Sequence, residues 1–501
     1  MKKLFTMLLV TMLCVSMLST AALADGRTPI TWTAFTSEKQ EIDGLVVWDT
    51  IEDMFDVDIK LQRYETSDYE TKTNLALTSM DMGDLWVYRN TADLNMYGDM
   101  GAFVNLMDYK DKLVNYFATI DKFADEFENY SLFSPEGGLY GAFRIYDLKY
   151  AHEGVMIRKD IVEKLGYKLE DIKTREDLTE VLYAMKAAYP DSTPLTGRWG
   201  MNYMMQIGLR GNNVNTTTLY DVYDKTYKYT GISDEMKEVV EWYRQLMADG
   251  ICVNNFSISD DEWRSDVLNG KSFVFYDYAN ECSNMNLKGR TVDPDFTLTA
   301  IRMPTWGERQ ITPLSAWSVY ANDSLAIPSN SKNIDKMIEI IDFLYSDEGI
   351  LLTNFGVEGV TFQYDENGTP RYMEPIVAPY NEGTVTRNEY GLCWTGELCR
   401  FMSYDSYHYA MEDTTKEALE CTRADSLPKY NWPTLVWTED EKNARADLQT
   451  PINTFVNENL AKFVVGEKDM SEWDDFVAQA KELGVDKLVD MYNTKLAETV
   501  K

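Results

Sequence analysis

The opening of the chain alternates two apolar periods, and this alternation restricts the fold more than any other feature. Apolar side chains occupy every second position in two short segments that flank a helical apolar pattern over residues 45–55, and these are Ile30, Trp32 and Ala34, then Val57, Ile59 and Leu61. Residues 84–88 are predicted as the next strand. Strands that alternate with helices in this way predict an α/β fold with a mostly parallel sheet covered on both faces.

Two predicted helices in the middle of the chain have clear start and stop residues. Thr174 with Asp177 three positions later forms a capping pattern, and Pro190 follows the end of that helix. Ser233 opens a second helix, and Gly250 lies just past its end. Such residues satisfy the unpaired backbone groups of helix ends, so both segments are predicted as helices.

Two more helices are predicted near the C-terminus. Thr450-Pro451 places proline at the first helical position, where its missing N–H is not needed. Ser471 with Asp474 starts another helix, which Gly484 ends.

The chain has 501 residues, a length that favours at least two α/β units. No low-complexity linker and no repeat separates them. Lobes without a flexible tether are usually joined by several chain crossings, which form a hinge.

The first residues have the three parts of a secretory signal. Lys2 and Lys3 precede an apolar stretch over residues 4–18, and a small-residue cleavage site ends at Ala24. A retained membrane anchor would need a longer apolar run. We expect an exported protein, periplasmic or extracellular, whose signal peptide is cleaved after Ala24.

Cysteine usage predicts neither a lipid anchor nor a disulfide scaffold. Cys14 lies in the signal, but Leu13 stands directly before it where a lipoprotein signal has a small residue. The remaining cysteines are few and odd in number: Cys252, Cys282, Cys393, Cys399 and Cys421. One bridge, such as Cys393 to Cys399, stays open in an oxidising compartment.

The balance of charge excludes two classes of partner. Asp and Glu number 82 against 48 Lys and Arg, giving a formal net charge of −34. This charge repels phosphate backbones and anionic membranes, so no nucleic-acid partner is expected.

The sequence lacks the local signatures of common catalytic sites. The two histidines, His152 and His408, lie far apart, and neither has metal-ligand spacing. No nucleophile elbow, phosphate loop or dinucleotide-binding turn is present. With 82 acidic residues, a carboxylate pair at glycosidase spacing is expected by chance and is uninformative. No catalytic residue, metal or cofactor is predicted.

Aromatic residues are abundant: 12 Trp, 32 Tyr and 20 Phe. Most are expected in the core. Several follow predicted strands among polar neighbours, namely Tyr88-Arg89-Asn90, Trp199, Tyr276-Asp277-Tyr278, Trp394 and Trp432. Open α/β sheets bind ligands at the carboxyl ends of their strands. Flat ring faces beside polar groups suit a sugar, which has C–H faces and a hydroxyl rim.

A series of motifs extends this interpretation to a family. They are LALTSMDMGD (75–84), YGDMG (97–101), GGLYG (137–141), IRKD (157–160), KLG (164–166), EWY (241–243), DG (249–250), NGK (269–271), DFLYSDEG (342–349) and GVEGV (356–360). In their order and spacing the chain resembles the extracellular solute-binding proteins of ABC importers (family 1, carbohydrate type), in the branch of maltodextrin- and alginate-oligosaccharide-binding proteins. These motifs describe the fold and say little about the ligand.

Some of these motifs have a physical reading of their own. Residues 332–345 have an apolar stripe and are predicted as a core helix. Gly98, Gly138 and Gly356 are predicted as backbone turns.

The chain also departs from the pattern. Met80 stands where the family prefers glycine, and Gly83 where it prefers proline. The alginate-type branch often has an acidic calcium loop after the helix that ends here near Pro190, whereas this chain has only Asp-Ser-Thr-Pro at 191–194. We predict no calcium there.

The resemblance implies a two-lobed, type II periplasmic-binding-protein-like fold with a hinge, in which each lobe is a sheet flanked by helices. The implied segments are 1–24 for the signal, 25–146 and 308–365 for lobe one, and 147–307 and 366–501 for lobe two. Crossings between the lobes then fall near Tyr146, Glu308 and Glu366.

The ligand is expected to stack on rings from both lobes and so to favour the closed form. Candidates from lobe one are Phe35, Tyr88, Arg89, Asn90 and Trp317, and those from lobe two are Trp199, Tyr276, Asp277, Tyr278 and Trp394. Simple packing is the alternative role for each of them. Arg144 is predicted either to bridge a ligand hydroxyl or carboxylate, or to pair with one of the many acidic side chains.

These features favour a monomeric, non-catalytic protein that captures a carbohydrate, an oligosaccharide above all, and delivers it to the permease subunits of an ABC importer. An exported glycoside hydrolase and a ligand-sensing subunit of a membrane receptor stay open as alternatives.

Overall fold

The computed structural model describes residues 26–35, 41–124, 132–146, 153–279, 281–315, 320–373, 389–392, 398, 401–402, 413–427, 433, 435 and 437–499. Its strands are β1 (Thr28–Phe35), β2 (Val57–Tyr64), β3 (Leu85–Tyr88), β4 (Ala142–Tyr146), β5 (Glu153–Arg158), β6 (Leu195–Thr196), β7 (Thr218–Asp221), β8 (Thr226–Tyr229), β9 (Val274–Tyr278), β10 (Leu298–Ile301), β11 (Leu314–Ser315), β12 (Tyr320–Ala326), β13 (Phe362–Tyr364), β14 (Pro370–Tyr372), β15 (Phe401–Met402) and β16 (Ser426–Leu427).

Helices flank these strands along the chain. They are α1 (Val46–Phe55), α2 (Tyr69–Ser79), α3 (Thr91–Asp99), α4 (Val114–Lys122), α5 (Lys159–Lys164), α6 (Arg175–Ala188), α7 (Met201–Met204), α8 (Gln206–Gly211), α9 (Asp234–Ala248), α10 (Asp260–Leu268), α11 (Glu281–Arg290), α12 (Ile334–Leu344), α13 (Asp347–Phe355), α14 (Asp413–Arg423), α15 (Glu439–Val464), α16 (Trp473–Glu482) and α17 (Val485–Thr499). The predicted α/β class is confirmed. Among the described residues, no helix is both long enough and apolar enough to cross a membrane.

The larger sheet has six strands in the order β15-β4-β12-β3-β1-β2. All run in the same direction except β12, which pairs antiparallel with β3 and β4. Buried side chains of β3 alternate between two apolar clusters: Leu85 and Val87 join one, and Trp86 and Tyr88 the other. Both faces of this sheet are therefore covered, as the alternation of strands with helices predicted. This sheet and its helices form lobe one.

The smaller sheet has four strands in the order β10-β5-β9-β6. Here too the faces alternate, since Val274 and Tyr276 belong to one cluster and Phe275 to another. The helices α9, α15 and α16 supply buried side chains to the first of these clusters. This sheet and its helices form lobe two.

The strands locate the crossings between the lobes. The chain leaves lobe one after Tyr146 and enters lobe two at Glu153, and it returns between Ile301 and Tyr320. Beyond the third predicted crossing, near Glu366, β15 pairs with β4 in the six-stranded sheet. Tyr372 and Leu398 also pack in the core of lobe one. The later strand β16 pairs in parallel with β11 in a separate two-stranded sheet.

The predicted helix caps are confirmed in the middle of the chain. Thr174 caps α6 through a capping box with Asp177, and the Ser233 side chain accepts a hydrogen bond from the Met236 N–H at the start of α9. The core helix predicted over 332–345 is α12.

Two predicted helix starts near the C-terminus are wrong. Pro451 lies inside α15, which begins after Thr438 with a capping box to Glu441. The start predicted at Ser471 is instead a short 3-10 turn capped by Asp469, and α16 begins at Trp473. Local cap patterns placed both starts, but burial of the apolar face of α15 in lobe two outweighs the lost proline N–H.

One predicted glycine turn, at Gly356, is confirmed, and another, at Gly98, is not. Gly356 has φ of +88° and ends α13, so its turn is confirmed. Gly98 lies within α3, and a Cβ built on it would lie 2.2 Å from the ring of Tyr140. The same ring would lie 2.5 Å from a Cβ on Gly138. Close packing of Tyr140, rather than a turn, accounts for Gly98.

Candidate functional site

The edge of lobe one that carries the carboxyl ends of its strands faces the crossings between the lobes. β1, β3 and β4 run parallel and end there at Phe35, Tyr88 and Tyr146. The chain departs for lobe two after Tyr146, and β12 begins at the same edge when the chain returns. Ligand sites of open α/β sheets lie at such edges.

Lobe two presents the corresponding edge. β6, β9 and β10 run parallel and end there, and β5 begins there with Glu153 opposite Tyr278. Trp199 lies beyond the end of β6, as predicted, whereas Tyr276, Asp277 and Tyr278 were predicted to follow a strand and lie within β9. The crossings thus join two sheets at the edges where the candidate residues lie.

Phe35 and Tyr88 are covered by protein. They are only 2% and 3% exposed. The ring of Phe35 contacts Tyr69 at a centroid distance of 4.8 Å, and that of Tyr88 contacts Phe103 at 5.5 Å. Their predicted position at strand ends is correct, but in this structure neither offers an open ring face to a ligand.

The two polar candidates beside Tyr88 have structural partners. Arg89 Nη2 donates to the backbone oxygen of Phe35 at 2.6 Å, and the Arg89 N–H donates to the hydroxyl of Tyr69 at 2.9 Å. Asn90 caps α3 by accepting a hydrogen bond from the Asp93 N–H at 3.2 Å. These bonds fix the loop after β3 at the edge of lobe one.

Arg144 lies on β4 and has the second of its predicted roles. Its Nη2 lies 2.6 Å from Oδ2 of Asp323, and both side chains are largely buried. Pairing two charges out of water is favourable only with good geometry, and the pair spans the adjacent strands β4 and β12.

Trp199 has an exposed ring, in contrast to Phe35 and Tyr88. Its side chain is 51% exposed, in the turn between β6 and α7. Its ring centroid lies 4.9 Å from that of Tyr203 and 6.1 Å from that of Tyr278. Tyr203 in turn contacts Tyr276 at 5.5 Å. We call Trp199, Tyr203, Tyr276 and Tyr278 the ring cluster.

Glu153 binds Tyr276 of β9. The Tyr276 hydroxyl donates to Glu153 Oε2 at 2.9 Å. Burial raises the pKa of Tyr278 well above its usual range, so its hydroxyl keeps its proton at neutral pH.

An ion network lies beneath the ring cluster, centred on Arg198. Its Nε and Nη2 donate to the two carboxylate oxygens of Asp277, each at 2.8 Å. Nη1 donates to Asp260 Oδ2 at 2.7 Å, and Nη2 also lies 3.3 Å from Glu281 Oε1. Arg264 binds the same Glu281 carboxylate through Nε and Nη2. Every nitrogen of the Arg198 guanidinium therefore has a carboxylate partner.

Asp277 is fully buried. Burial raises the pKa of its carboxyl to about 6, although the hydrogen bonds and charge of Arg198 oppose this shift. The carboxylates of Asp277 and Glu281 are held by arginine side chains, an arrangement that fixes the position of β9 and α11.

Sequence reasoning missed Arg198, Tyr203 and Glu153. Tyr203 lies four residues after Trp199, a spacing at which side chains meet on a helix and the one local signal available. The other two required the strand pairing to be known. Trp317, Trp394 and Trp432 lie outside the described residues, as do His152, His408 and the cysteine pair Cys393 and Cys399. Among the described residues, no group of three His, Cys, Asp or Glu side chains is placed to hold a metal ion.

Lys186, in the last turn of α6, reaches the loop where no calcium is predicted. Lys186 Nζ donates to the backbone oxygens of Pro190 and Ser192 at 2.9 and 2.7 Å.

A family model described as bacterial extracellular solute-binding protein matches residues 47–353, more than half of the chain. A Streptococcus pneumoniae protein described as fructooligosaccharide ABC transporter substrate-binding protein FusA is 24% identical over 448 residues, which cover 84% of this chain and 80% of that protein. Lipoprotein LipO of Bacillus subtilis is 23% identical over 465 residues, covering 87% and 86% of the two chains.

Solved structures show the same fold. The crystal structure of alginate-binding protein AlgQ2 without calcium ion has a TM-score of 0.70 at 19% identity, covering 96% of this chain and all of that chain. FusA in complex with kestose has a TM-score of 0.71 at 19% identity and covers 94% of this chain and 99% of that chain. The two-lobed binding-protein fold is thereby confirmed.

Proposed function

Because this chain belongs to the bacterial extracellular solute-binding proteins, we propose that it captures a neutral oligosaccharide between its lobes and delivers it to an ABC importer. The relative FusA is described as a fructooligosaccharide-binding protein of an ABC transporter, and this description supports the choice of ligand and partner.

The observation that carries the proposal is the ring cluster at the carboxyl edge of lobe two. Trp199 leaves half of a large flat side chain in solvent beside Tyr203 and Tyr278. An exposed indole is costly in water unless a ligand covers it, and the C–H face of a pyranose or furanose ring fits such a surface.

The charges beneath the cluster favour a neutral sugar over a uronate. All three nitrogens of Arg198 already bind Asp277, Asp260 and Glu281, and Arg264 is also committed to Glu281. Glu153 adds a further carboxylate beside the tyrosines. A carboxylate on the ligand would meet the negative charge of these side chains, while Arg198 and Arg264 are already paired within the protein.

Capture would act through closure of the lobes. A ligand that contacts the edges of both sheets binds the closed form better than the open one, and this difference in affinity shifts the population. The permease would then recognise the closed protein, which releases the sugar unchanged. We further propose that the protein acts as a monomer without turning over its ligand.

Calorimetry with purified protein tests the ligand class. We expect kestose or another neutral oligosaccharide to bind with micromolar or better affinity, while alginate oligomers and peptides do not bind. Chromatography of the sugar after prolonged incubation should recover it intact. Binding of uronates or peptides alone would overturn the neutral-sugar proposal, and formation of shorter sugars would favour the hydrolase.

We also propose export with removal of residues 1–24. Mass spectrometry of the protein from cells should find Asp25 at the N-terminus. Because LipO is described as a lipoprotein, the contrary result to look for is a chain that begins with a lipid-modified Cys14.

A further inference from the structure

Arg198 and Trp199 are adjacent in sequence and stacked in space. The Arg198 Cζ lies 3.8 Å from the centroid of the Trp199 ring and 4.5 Å from that of Trp263. Trp263 is fully buried, and Arg198 itself is 3% exposed. The guanidinium thus lies between a buried indole and an exposed one, and each contact is a cation–π interaction.

The edges of the same guanidinium are bound by carboxylates. Asp277 comes from β9, Asp260 from α10 and Glu281 from α11, so three elements of lobe two fix the plane of Arg198. Because all nitrogens of the guanidinium are bound, its plane has one orientation, and the indole of Trp199 stacked on it is oriented in the same way.

The backbone of Trp199 needs such support. Its φ is +60°, a left-handed conformation that large side chains adopt rarely, and Gly200 follows with φ of +91°. Strained residues persist where surrounding contacts determine their position, and they are frequent at ligand-binding sites.

We propose that Arg198 is a positioning residue, which holds the indole of Trp199 as a fixed stacking surface for the sugar. This inference rests on the proposed function, since the sugar is the ligand that the indole would meet. Arg198 itself touches no ligand, because its faces and nitrogens are already occupied by the protein.

Fluorine NMR of protein labelled with 5-fluorotryptophan tests the positioning without any ligand. The 12 tryptophans give a spectrum in which Trp199→Phe identifies one resonance. We expect Arg198→Lys, which keeps the charge but loses the planar fork, to shift and broaden that resonance while leaving most others in place. An unmoved Trp199 resonance in folded Arg198→Lys protein would overturn the proposal.

Two further variants keep the test decisive. Asp260→Asn weakens one ion pair of Arg198, on the side that faces solvent, and should move the Trp199 resonance by a smaller amount. This variant provides the test if Arg198→Lys fails to fold. Arg175→Met is the matched control, because Arg175 stacks on Trp306 at 5.6 Å elsewhere in lobe two. It should leave the Trp199 resonance unchanged.

Binding of kestose separates this inference from the proposed function. We expect Arg198→Lys and Trp199→Phe each to weaken binding about tenfold, with the double variant no weaker than Trp199→Phe alone, since coupled residues are not additive. Additive losses would overturn the positioning role in binding. If the Trp199 resonance moves in Arg198→Lys but the wild type binds no sugar, the proposed function fails. The support of Trp199 by Arg198 then still stands.

Discussion

Lys442 of lobe two lies against Asp93 of lobe one, with 3.5 Å between Nζ and Oδ1. Lys442 belongs to the first turn of α15, whose later turns pack in the core of lobe two. Asp93 belongs to the first turn of α3, which follows the strand end at Tyr88. The ion pair therefore joins the lobes across the edge where the candidate ligand residues lie.

Removing this pair should favour the open form. Both side chains are about one-third exposed, and such pairs contribute about 0.2–1 kcal/mol, so we expect Lys442→Met to weaken ligand binding by about 1.4-fold to fivefold. Small-angle scattering of the ligand-free protein should show a slightly larger radius of gyration. The exposed pair Lys112–Asp335 within lobe one provides the control, since Lys112→Met should change neither quantity. Equal effects of the two variants would contradict a role for Lys442 in closure.

Tyr203 has a buried hydroxyl without a hydrogen-bond partner among the described residues. Burial raises the pKa of this phenol far above its usual range, so it stays a donor. We expect Tyr203→Phe to leave the melting temperature unchanged or higher, because an unsatisfied group is removed. If a sugar hydroxyl is its partner, the variant should bind kestose about fivefold more weakly, as expected for one hydrogen bond.

The control for Tyr203 is Tyr183→Phe. Tyr183 donates its hydroxyl to Asp249 on the surface of lobe two, so this variant loses a bond within the protein and should bind kestose normally. A Tyr203→Phe protein that binds with unchanged affinity would show that the hydroxyl does not contact the sugar.

The sequence predicted well those features that local residues determine. The capping box of Thr174 and Asp177 is complete within four residues, so pattern and structure agree. The start of α15 was predicted at Pro451 because a proline after threonine is a common local signal. Apolar residues such as Val456 and Phe463, buried in lobe two, stabilise the helix across the proline, and this packing is not visible in a short window.

In the candidate site, too, residues with local signals were predicted and residues with distant partners were missed. Trp199 was predicted because it follows a strand, whereas Asp277, predicted for the same reason, lies within β9. Arg198 was missed because its partners Asp260 and Asp277 lie 62 and 79 residues away. The burial of Phe35 was missed for the same reason, since Tyr64 and Tyr69 cover it from the next strand and helix.

Asp177 should make the stability of α6 depend on acid pH. Hydrogen bonds from the Thr174 hydroxyl, the Thr174 N–H and the Lys173 N–H hold the pKa of this carboxyl below its usual 3.8. A lowered pKa means that the folded state prefers the charged form, so the stabilisation is present above about pH 4 and is lost as the pH falls through the folded-state pKa. We expect Asp177→Ala to lower the free energy of unfolding by about 1 kcal/mol at pH 7 and by less at pH 3.

Urea unfolding of both proteins at the two pH values measures this difference. Glu176→Gln is the control, because it removes a neighbouring carboxylate in the same first turn without touching the capping box. A loss that is the same at pH 7 and pH 3 would mean that the charge of Asp177 does not contribute.

Lys186 should make the loop after α6 stable without a metal ion. Its ammonium group donates to the backbone oxygens of Pro190 and Ser192. Because hydrogen bonds from a charged donor contribute about 1.5–3 kcal/mol, we expect Lys186→Met to lower the free energy of unfolding by about 2 kcal/mol. Lys237→Met, on the helix α9, should have little effect. The melting temperature of the wild type should be the same in EDTA and in calcium chloride, since the side chain already compensates the carbonyl dipoles. The contrary result is a rise in melting temperature with calcium that is equal in the wild type and in Lys186→Met. It would show that a metal site exists elsewhere and that Lys186 does not take the place of a metal ion.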